Sequence, residues 1–517
     1  MRIGLSSIYS FRPHVEHMYY VALLLKQAGH EIYFLTCDAA LTNCYARSLK
    51  GKSKISECTK CVVGGIRSYP VNKIQAISAE DRISLSKLEL EEIASSSACT
   101  ILRTESSGDL LTDEFLDLRD SFYEPCEVTY GSTIKWIEAN KLEGVICFNG
   151  RMEVTRAITF ACEKLNIPYL TQERTWFSHG LQFNANSNCL SLKDVSAINI
   201  EYRDKPLTRL QAESAAKLIA ARFVRKNLNE WRAYNLNSEN TSWPLKGKGG
   251  LKVLILPSSY NEFQGHPDWK NGWLSSTQAF DWALEKLNVK SSDIILRCHP
   301  NWAEKIGKKD GSKSQQYYID WCKKAGIHYI ESSETANTFD LIQECDVLLV
   351  NGSSAALEAG ACGKKIICLG HSTYEDAGFA LHITEEKNIN LLDYFENHDP
   401  VEVIRKTLRF AYSMFKRFPQ YVDFVKAKTT TSYDYFDGAD AEFIIKMLKN
   451  GKIEAYDDVF AKDTADEVKI IDLIIKKEWA LLSEFEEANL RSELVIKRRV
   501  GLQWVDDFRN KLPKGDL

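Results

Sequence analysis

At 517 residues the chain exceeds the ~250–300 at which one hydrophobic core stops growing, so two domains are expected. With 44% hydrophobic and 26% charged residues it has the make-up of a globular protein, which excludes disordered and fibrous classes. A formal net charge of −4 leaves no electrostatic footprint for nucleic acid, and no apolar run approaches the ~18 residues that span a bilayer.

The chain opens on Met1-Arg2-Ile3-Gly4-Leu5, which enters a strand directly and lacks the apolar core and cleavage site of a signal peptide, so a cytoplasmic protein is expected. Residues 3–8 read as a strand and 17–27 as a helix stopped by Gly29; 31–36 follow as a second strand. Such a βαβ unit requires a parallel sheet. Next comes an excursion over 37–61 carrying Cys37, Cys44, Cys58 and Cys61 in a Lys- and Ser-rich context. Four thiolates at such spacing can close a tetrahedral structural zinc site. The alternative is a loop with four unrelated thiols. The remaining cysteines are scattered singly, as Cys147, Cys345 and Cys368 are, and read as small buried hydrophobes rather than a disulfide framework.

Residues 66–135 read as helices and loops, with one strand near Thr100. The strand–helix–strand rhythm returns at 142–148, 153–165 and 167–170, and a long helix over 207–234 closes this half. A segment rich in Asn, Ser, Gly and Lys, 235–250, marks the boundary. Beyond it, strands are expected at 252–256, 293–297, 327–330, 346–350 and 365–369, with helices over 276–287, 338–344 and 355–361 between them. The fold class is therefore α/β: two Rossmann-like doubly wound domains, 1–235 and 251–430, facing a cleft, with a helical tail over 431–517 that packs back on the first. In the tail Val468, Ile471, Ile475, Leu482 and Phe485 recur at helical spacing. The run Lys497-Arg498-Arg499, followed by Trp504 and Phe508, is the candidate for peripheral contact with an anionic inner membrane, although Asp506 and Asp507 interrupt it.

Open α/β sheets bind ligands at the C-terminal ends of their strands, so the loops there decide the chemistry. The strand over 293–297 ends in Arg297-Cys298-His299-Pro300, a cation and an imidazole placed to meet a phosphate. The strand over 346–350 ends in Asn351-Gly352-Ser353-Ser354 and turns into a helix, where backbone N–H groups and two hydroxyls suit an anion. Glu358, one turn on, is placed to accept from ribose hydroxyls. Simple helix capping is the alternative for the serines.

These motifs, with Gly370, Tyr374 and Gly378 after them, resemble the donor domain of the capsule polysaccharide biosynthesis family, which includes transferases of 3-deoxy-manno-octulosonic acid (Kdo). The His-Pro and Ser-Ser pairs also resemble the nucleotide-binding motifs of bacterial sialyltransferases. The resemblance covers about 250–430 and implies a GT-B glycosyltransferase. It implies donor contacts at Arg297, His299, Ser353, Ser354 and Glu358, a CMP-sugar donor and a surface glycan or glycolipid acceptor.

In the first half, His14 with Ala22, Leu25 and Gly29-His30 resembles the first βα unit of GT-B enzymes in which a His at this place is the general base. His17 competes for that role. Asn149-Gly150-Arg151 and Glu173-Arg174 resemble cleft-facing segments of the capsule family, which makes Glu173 a candidate base, nucleophile or acceptor ligand. A structural ion pair is the plain alternative. Glu262, His266 and Asp268 form a third candidate group, on the loop after the second half's first strand. No D-x-D occurs, so no catalytic metal is expected, and neither a Walker A motif nor G-x-G-x-x-G follows a strand. The rival readings are a UDP- or GDP-hexose transferase, a UDP-sugar epimerase, and a non-catalytic sugar-nucleotide-binding subunit.

Overall fold

Short aliphatic runs bounded by turn residues form two six-stranded sheets, and most of their residues are buried on both faces, as helix-covered parallel sheets require. The computed structural model describes residues 1–227, 230, 233–244, 250–305, 310–387, 389, 391–485 and 492–511. The first sheet contains β1 (Arg2–Ser6), β2 (Glu31–Thr36), β3 (Ile74–Ala76), β4 (Gly144–Phe148), β5 (Tyr169–Glu173) and β6 (Gln182–Ala185). Its order is β3-β2-β1-β4-β5-β6, parallel throughout except for β6 against β5. The second contains β7 (Val253–Leu256), β8 (Ile294–Arg297), β9 (His328–Ile330), β10 (Val347–Val350), β11 (Lys365–Cys368) and β12 (Leu381–His382), in the order β12-β11-β10-β7-β8-β9.

Counted from its own first strand, each sheet follows the same doubly wound order, with the reversal between first and fourth strands. The ligand crevices therefore lie at the ends of β1/β4 and β7/β10, where Ser6 pairs with Cys147 and Val350 with Leu256. The architecture is the GT-B arrangement of two Rossmann-like domains.

The chain does not leave its halves separate. The Arg209–Phe223 helix of the first half packs against the Pro400–Tyr412 helix that follows the second sheet, and both join one apolar layer reaching into both halves. From the tail, Glu467 accepts both guanidinium bonds of Arg409 at 2.8 Å and the Leu207 amide at 2.7 Å, wholly buried. A hairpin of β13 (Val425–Ala427) and β14 (Tyr433–Tyr435) lies on the first half. There Tyr435 bonds His17 at 2.9 Å, and Tyr20 donates to the Phe436 carbonyl at 3.0 Å.

Several sequence expectations need correction. Thr100 lies within the Lys87–Leu102 helix, whose Ser86/Glu89 capping box starts it and whose own turn takes the Thr100 hydroxyl; the third strand is Ile74–Ala76. The helix expected over 207–234 ends at Phe223, with Arg225 at φ 59° just beyond it. Residues 228, 229, 231 and 232 of that stretch, and 245–249 of the boundary, lie outside the described residues. The tail stripe splits into the Ala465–Ile475 and Trp479–Leu482 helices, which bury Ile470, Ile471 and Ile474 and leave Val468 and Ile475 about half exposed. Arg498 is buried on Glu16, Ser68 and the Gly64 carbonyl, and Arg499 donates to the Tyr69 and Val71 carbonyls. Arg498 and Arg499 thus serve internal packing, while Lys497, Trp504 and Phe508 are exposed. No helix among the described residues is long and apolar enough to cross a membrane.

Candidate functional site

The first half places its polar groups at the β1/β4/β5 ends. After β4 the chain turns through two residues with positive φ, Asn149 at 60° and Gly150 at 72°. Only glycine serves at the second, where a Cβ would come within 2.4 Å of the Thr171 side chain. This turn aims the Asn149 amide at Glu173, donating to Oε2 at 2.7 Å, while its own Oδ1 accepts the Arg151 N–H at 3.0 Å. Glu173 also accepts the Arg174 N–H at 2.9 Å, and His14 Nε2 stands 3.3 Å from Oε1.

The structure therefore joins His14 and Glu173, which the sequence offered as separate candidates. Their exposure divides the roles. The His14 side chain is 8% exposed, with its ring centre 4.2 Å from that of Phe148, whereas that of Glu173 is 25% exposed. Burial, reinforced by Arg174, pushes the His14 imidazole well below its ordinary value, so it sits neutral. Its Nδ1 donates to Gln172 at 3.3 Å, and Nε2 is then the atom that can exchange a proton with Glu173. Glu173 is the group able to touch a ligand, and His14 stands behind it. His17 is fully buried under Tyr433 and Tyr435, with its imidazole likewise depressed by burial, which removes it as a competitor.

In the second half the crevice at β7/β10 is knitted by side chains. Asn351 accepts the Ser258 amide at 2.8 Å and its hydroxyl at 2.9 Å, and the Ser259 hydroxyl bonds Asn301 at 2.9 Å. His299 is half-buried, accepting the Asn301 N–H on Nδ1 at 3.2 Å. Ser353 is nearly buried with its hydroxyl toward the Ala355 amide, while Ser354 is exposed at the start of the six-residue Ala356–Ala361 helix.

Two expected donor contacts point elsewhere. Arg297 donates to the Glu331 and Glu334 carbonyls, which staples β8 to the loop after β9. Glu358 is 2% exposed and ion-paired with Arg222 at 2.6 Å; Arg222 also holds Glu230 at 3.0 Å. That carboxylate joins the second half to a helix of the first.

Asp268 is also engaged: its carboxylate accepts the Ser191 hydroxyl at 2.8 Å and the Leu192 amide at 2.9 Å. It forms part of the wall of a cavity of about 390 Å³ between the halves, with Lys193, Asn199, His371, Ser372 and Asp376. Through these bonds it positions Ser191 and Leu192 of the first half. His266 caps the same loop by accepting the Asp268 N–H at 3.1 Å.

Residues that the sequence left unmarked connect the two centres. The Cys189 amide donates to the Asn149 carbonyl at 2.9 Å, and the Trp269 indole donates to Leu190 at 2.8 Å. Trp269 in turn packs so close to Gly352 that a Cβ there would stand 3.2 Å from its ring. A path of contacts thus runs from Glu173 to the β10 loop. The Cys189-Leu190 turn offered no motif by which to find it.

The four cysteines of the expected zinc site are all free and half-buried. Among the described residues no three His, Cys, Asp or Glu side chains gather as a metal ion requires, Cys37, Cys44, Cys58 and Cys61 included. Burial raises the pKa of the Cys44 and Cys61 thiols, that of Cys44 strongly. The excursion is held by buried Glu153, which accepts the Tyr45 amide at 2.6 Å, by Arg67 on Asp38 at 2.6 Å, and by Leu41, Tyr45 and Leu49 in the core.

No family model and no curated protein matches the chain. Among solved structures it is similar to the beta Kdo 2,4 transferase KpsC of Thermosulfurimonas dismutans, at 13% identity over 65% of this chain and 87% of that one, with a TM-score of 0.34. It is also similar to a UDP-GlcNAc 2-epimerase from Neisseria meningitidis bound to UDP-GlcNAc, at 12% over 87% and 100%, TM-score 0.28. MurG of Acinetobacter baumannii matches at 10% over 87% and 100%, TM-score 0.27. At such identities the residues of this chain must carry its chemistry.

Proposed function

We propose that the protein is a glycosyltransferase that moves a sugar from a nucleotide donor in the second half onto an acceptor hydroxyl held beside Glu173. The observation that carries the reading is Glu173 itself. It is a partly exposed carboxylate at a strand end, oriented by Asn149, the Arg174 amide and His14, and linked by contacts to the loops at the opposite crevice. In the reaction Glu173 takes the proton of the acceptor hydroxyl, whose oxygen forms the new bond to the anomeric carbon as the bond to the donor phosphate breaks. The departing phosphate is met by His299 and the Ser353/Ser354 turn. No residue role calls for a metal. The donor we favour is a CMP-linked 2-keto-3-deoxy acid, with a surface glycan or glycolipid as acceptor, because the His299-Pro300 and Ser353-Ser354 pairs resemble those of CMP-sugar enzymes.

A thermal-shift screen of nucleotides tests the donor, since a ligand that binds only the folded state raises Tm. A cytidine nucleotide is expected to stabilise most, with UDP second, and His299→Ala should weaken that binding by about 1.5–3 kcal/mol, the worth of a charge-assisted hydrogen bond. A response to GDP alone removes the cytidine donor. Unchanged binding in His299→Ala removes the phosphate site.

A further inference from the structure

Just past the Lys87–Leu102 helix, the first half sends a short segment into the second. Arg103, in the left-handed region at φ 51°, donates to the carbonyls of Asn301 and Glu304, both at 3.3 Å. Thr104 bonds Gln264, whose amide donates back to the Ser106 carbonyl at 3.0 Å, and Asp109 pairs with Lys313 at 2.6 Å. The fit is close enough that a Cβ on Gly311 would come within 2.6 Å of the Arg103 guanidinium. The turn so gripped, 299–304, is the one that carries His299.

At the centre of this contact lies Glu105. Its side chain is buried, and neither carboxylate oxygen makes a hydrogen bond of normal geometry with a described residue. The Ser314 and Tyr318 hydroxyls and the Trp302 indole N–H, all from the second half, are buried without such a bond as well. The charged and titratable groups facing it are Arg103 and Asp109 from its own segment, Lys313 and Tyr318 from the Ser312–Ala325 helix, and Tyr260 from the loop after β7.

We propose that Glu105 is a trans-domain positioning residue: docked, it keeps Arg103 on the 299–304 turn, and released, it lets that turn and the two halves loosen. The donor role of the turn rests on the reading above; the docking does not.

A carboxylate shut into this seam is tolerated as the acid and resisted as the anion. Burial accordingly pushes its pKa up to about 8, with Ser314, Arg103 and Lys313 opposing the rise and Asp109 adding to it. Undocked, it titrates near the ordinary value of about 4.3. The docked pKa being the higher, docking is fully favourable below about 4.3 and weakens by about tenfold per pH unit until the docked acid also ionises. Above about pH 8 the weakening stops.

The test is hydrogen exchange of the full chain at pH 6 and pH 8.5, corrected for intrinsic rates and followed in peptides covering 104–112 and 298–304. Wild type should lose at least tenfold protection in both segments at the higher pH. Glu105→Gln, neutral at both, should hold its protection at both. Arg103→Ala should expose 298–304 at either pH. Wild-type protection that is the same at both pH values, or a Glu105→Gln profile that follows wild type, overturns the proposal. A cytidine nucleotide added in parallel separates the two readings: if it never binds, the donor reading fails while the exchange profile still decides the role of Glu105.

Discussion

The two crevices use their charged residues in opposite ways. In the first half the turn through Asn149 and Gly150 aims one amide at one carboxylate, and Glu173 is left partly open to solvent with His14 behind it. In the second half the two most conspicuous charges are turned inward. Arg297 ties two loops together, and Glu358 ties one half to the other through Arg222. An ionised group at the end of a parallel strand is therefore not by itself a ligand contact. Its partners decide whether it serves chemistry or architecture.

That contrast predicts different failures. Glu173→Gln keeps the shape and loses the base, so transfer should fall by about 10²–10⁴-fold in kcat, with nucleotide stabilisation and Tm unchanged. A variant that still turns over like wild type would falsify the role of Glu173 and move the base elsewhere in the first half. Glu358→Ala leaves Arg222 buried with only Glu230, and broken buried pairs cost about 3–5 kcal/mol, so denaturant unfolding should show a loss of that order. Replacing both partners with apolar residues should recover most of it. If Glu358→Ala instead spares stability and abolishes nucleotide binding, the residue is a donor ligand after all. The smallest effect is expected at the Cys-x-x-Cys pair. Cys58→Ser with Cys61→Ser should shift stability by no more than about 0.5 kcal/mol, the usual size away from special features. A drop of several kcal/mol with release of one zinc per chain would establish the metal site.

The same distinction explains what could be seen in the sequence. The strands of the second half were legible because runs such as Val347-Leu348-Leu349-Val350 have no polar face and so declare a sheet covered on both sides. The third strand of the first half was not, since Ile74-Gln75-Ala76 is three residues long and half-buried at a sheet edge. Ser95-Ser96-Ser97 hid a helix, although Ser97 serves there as a buried donor to Glu153. Glu173 and His14 could each be named from position, but their contact depends on how β1 and β5 lie across the sheet. The directions of Arg297 and Glu358 depend on carbonyls and an arginine from distant segments, which no local pattern records.

The hairpin and the C-terminal strap give the chain an unusual order of completion. Glu16, His17 and Tyr20, on the first helix of the first half, are covered by Arg498, Tyr435 and Phe436. A ribosome emitting this chain therefore exposes a first half that stays uncovered until Tyr435 and Arg498 have emerged, while the sheet over 253–382 already has all its strands. Synthesis ordinarily lets the N-terminal domain fold first. Here the second half can close before the half that precedes it, and the segment around Arg498 covers the first helix only afterwards.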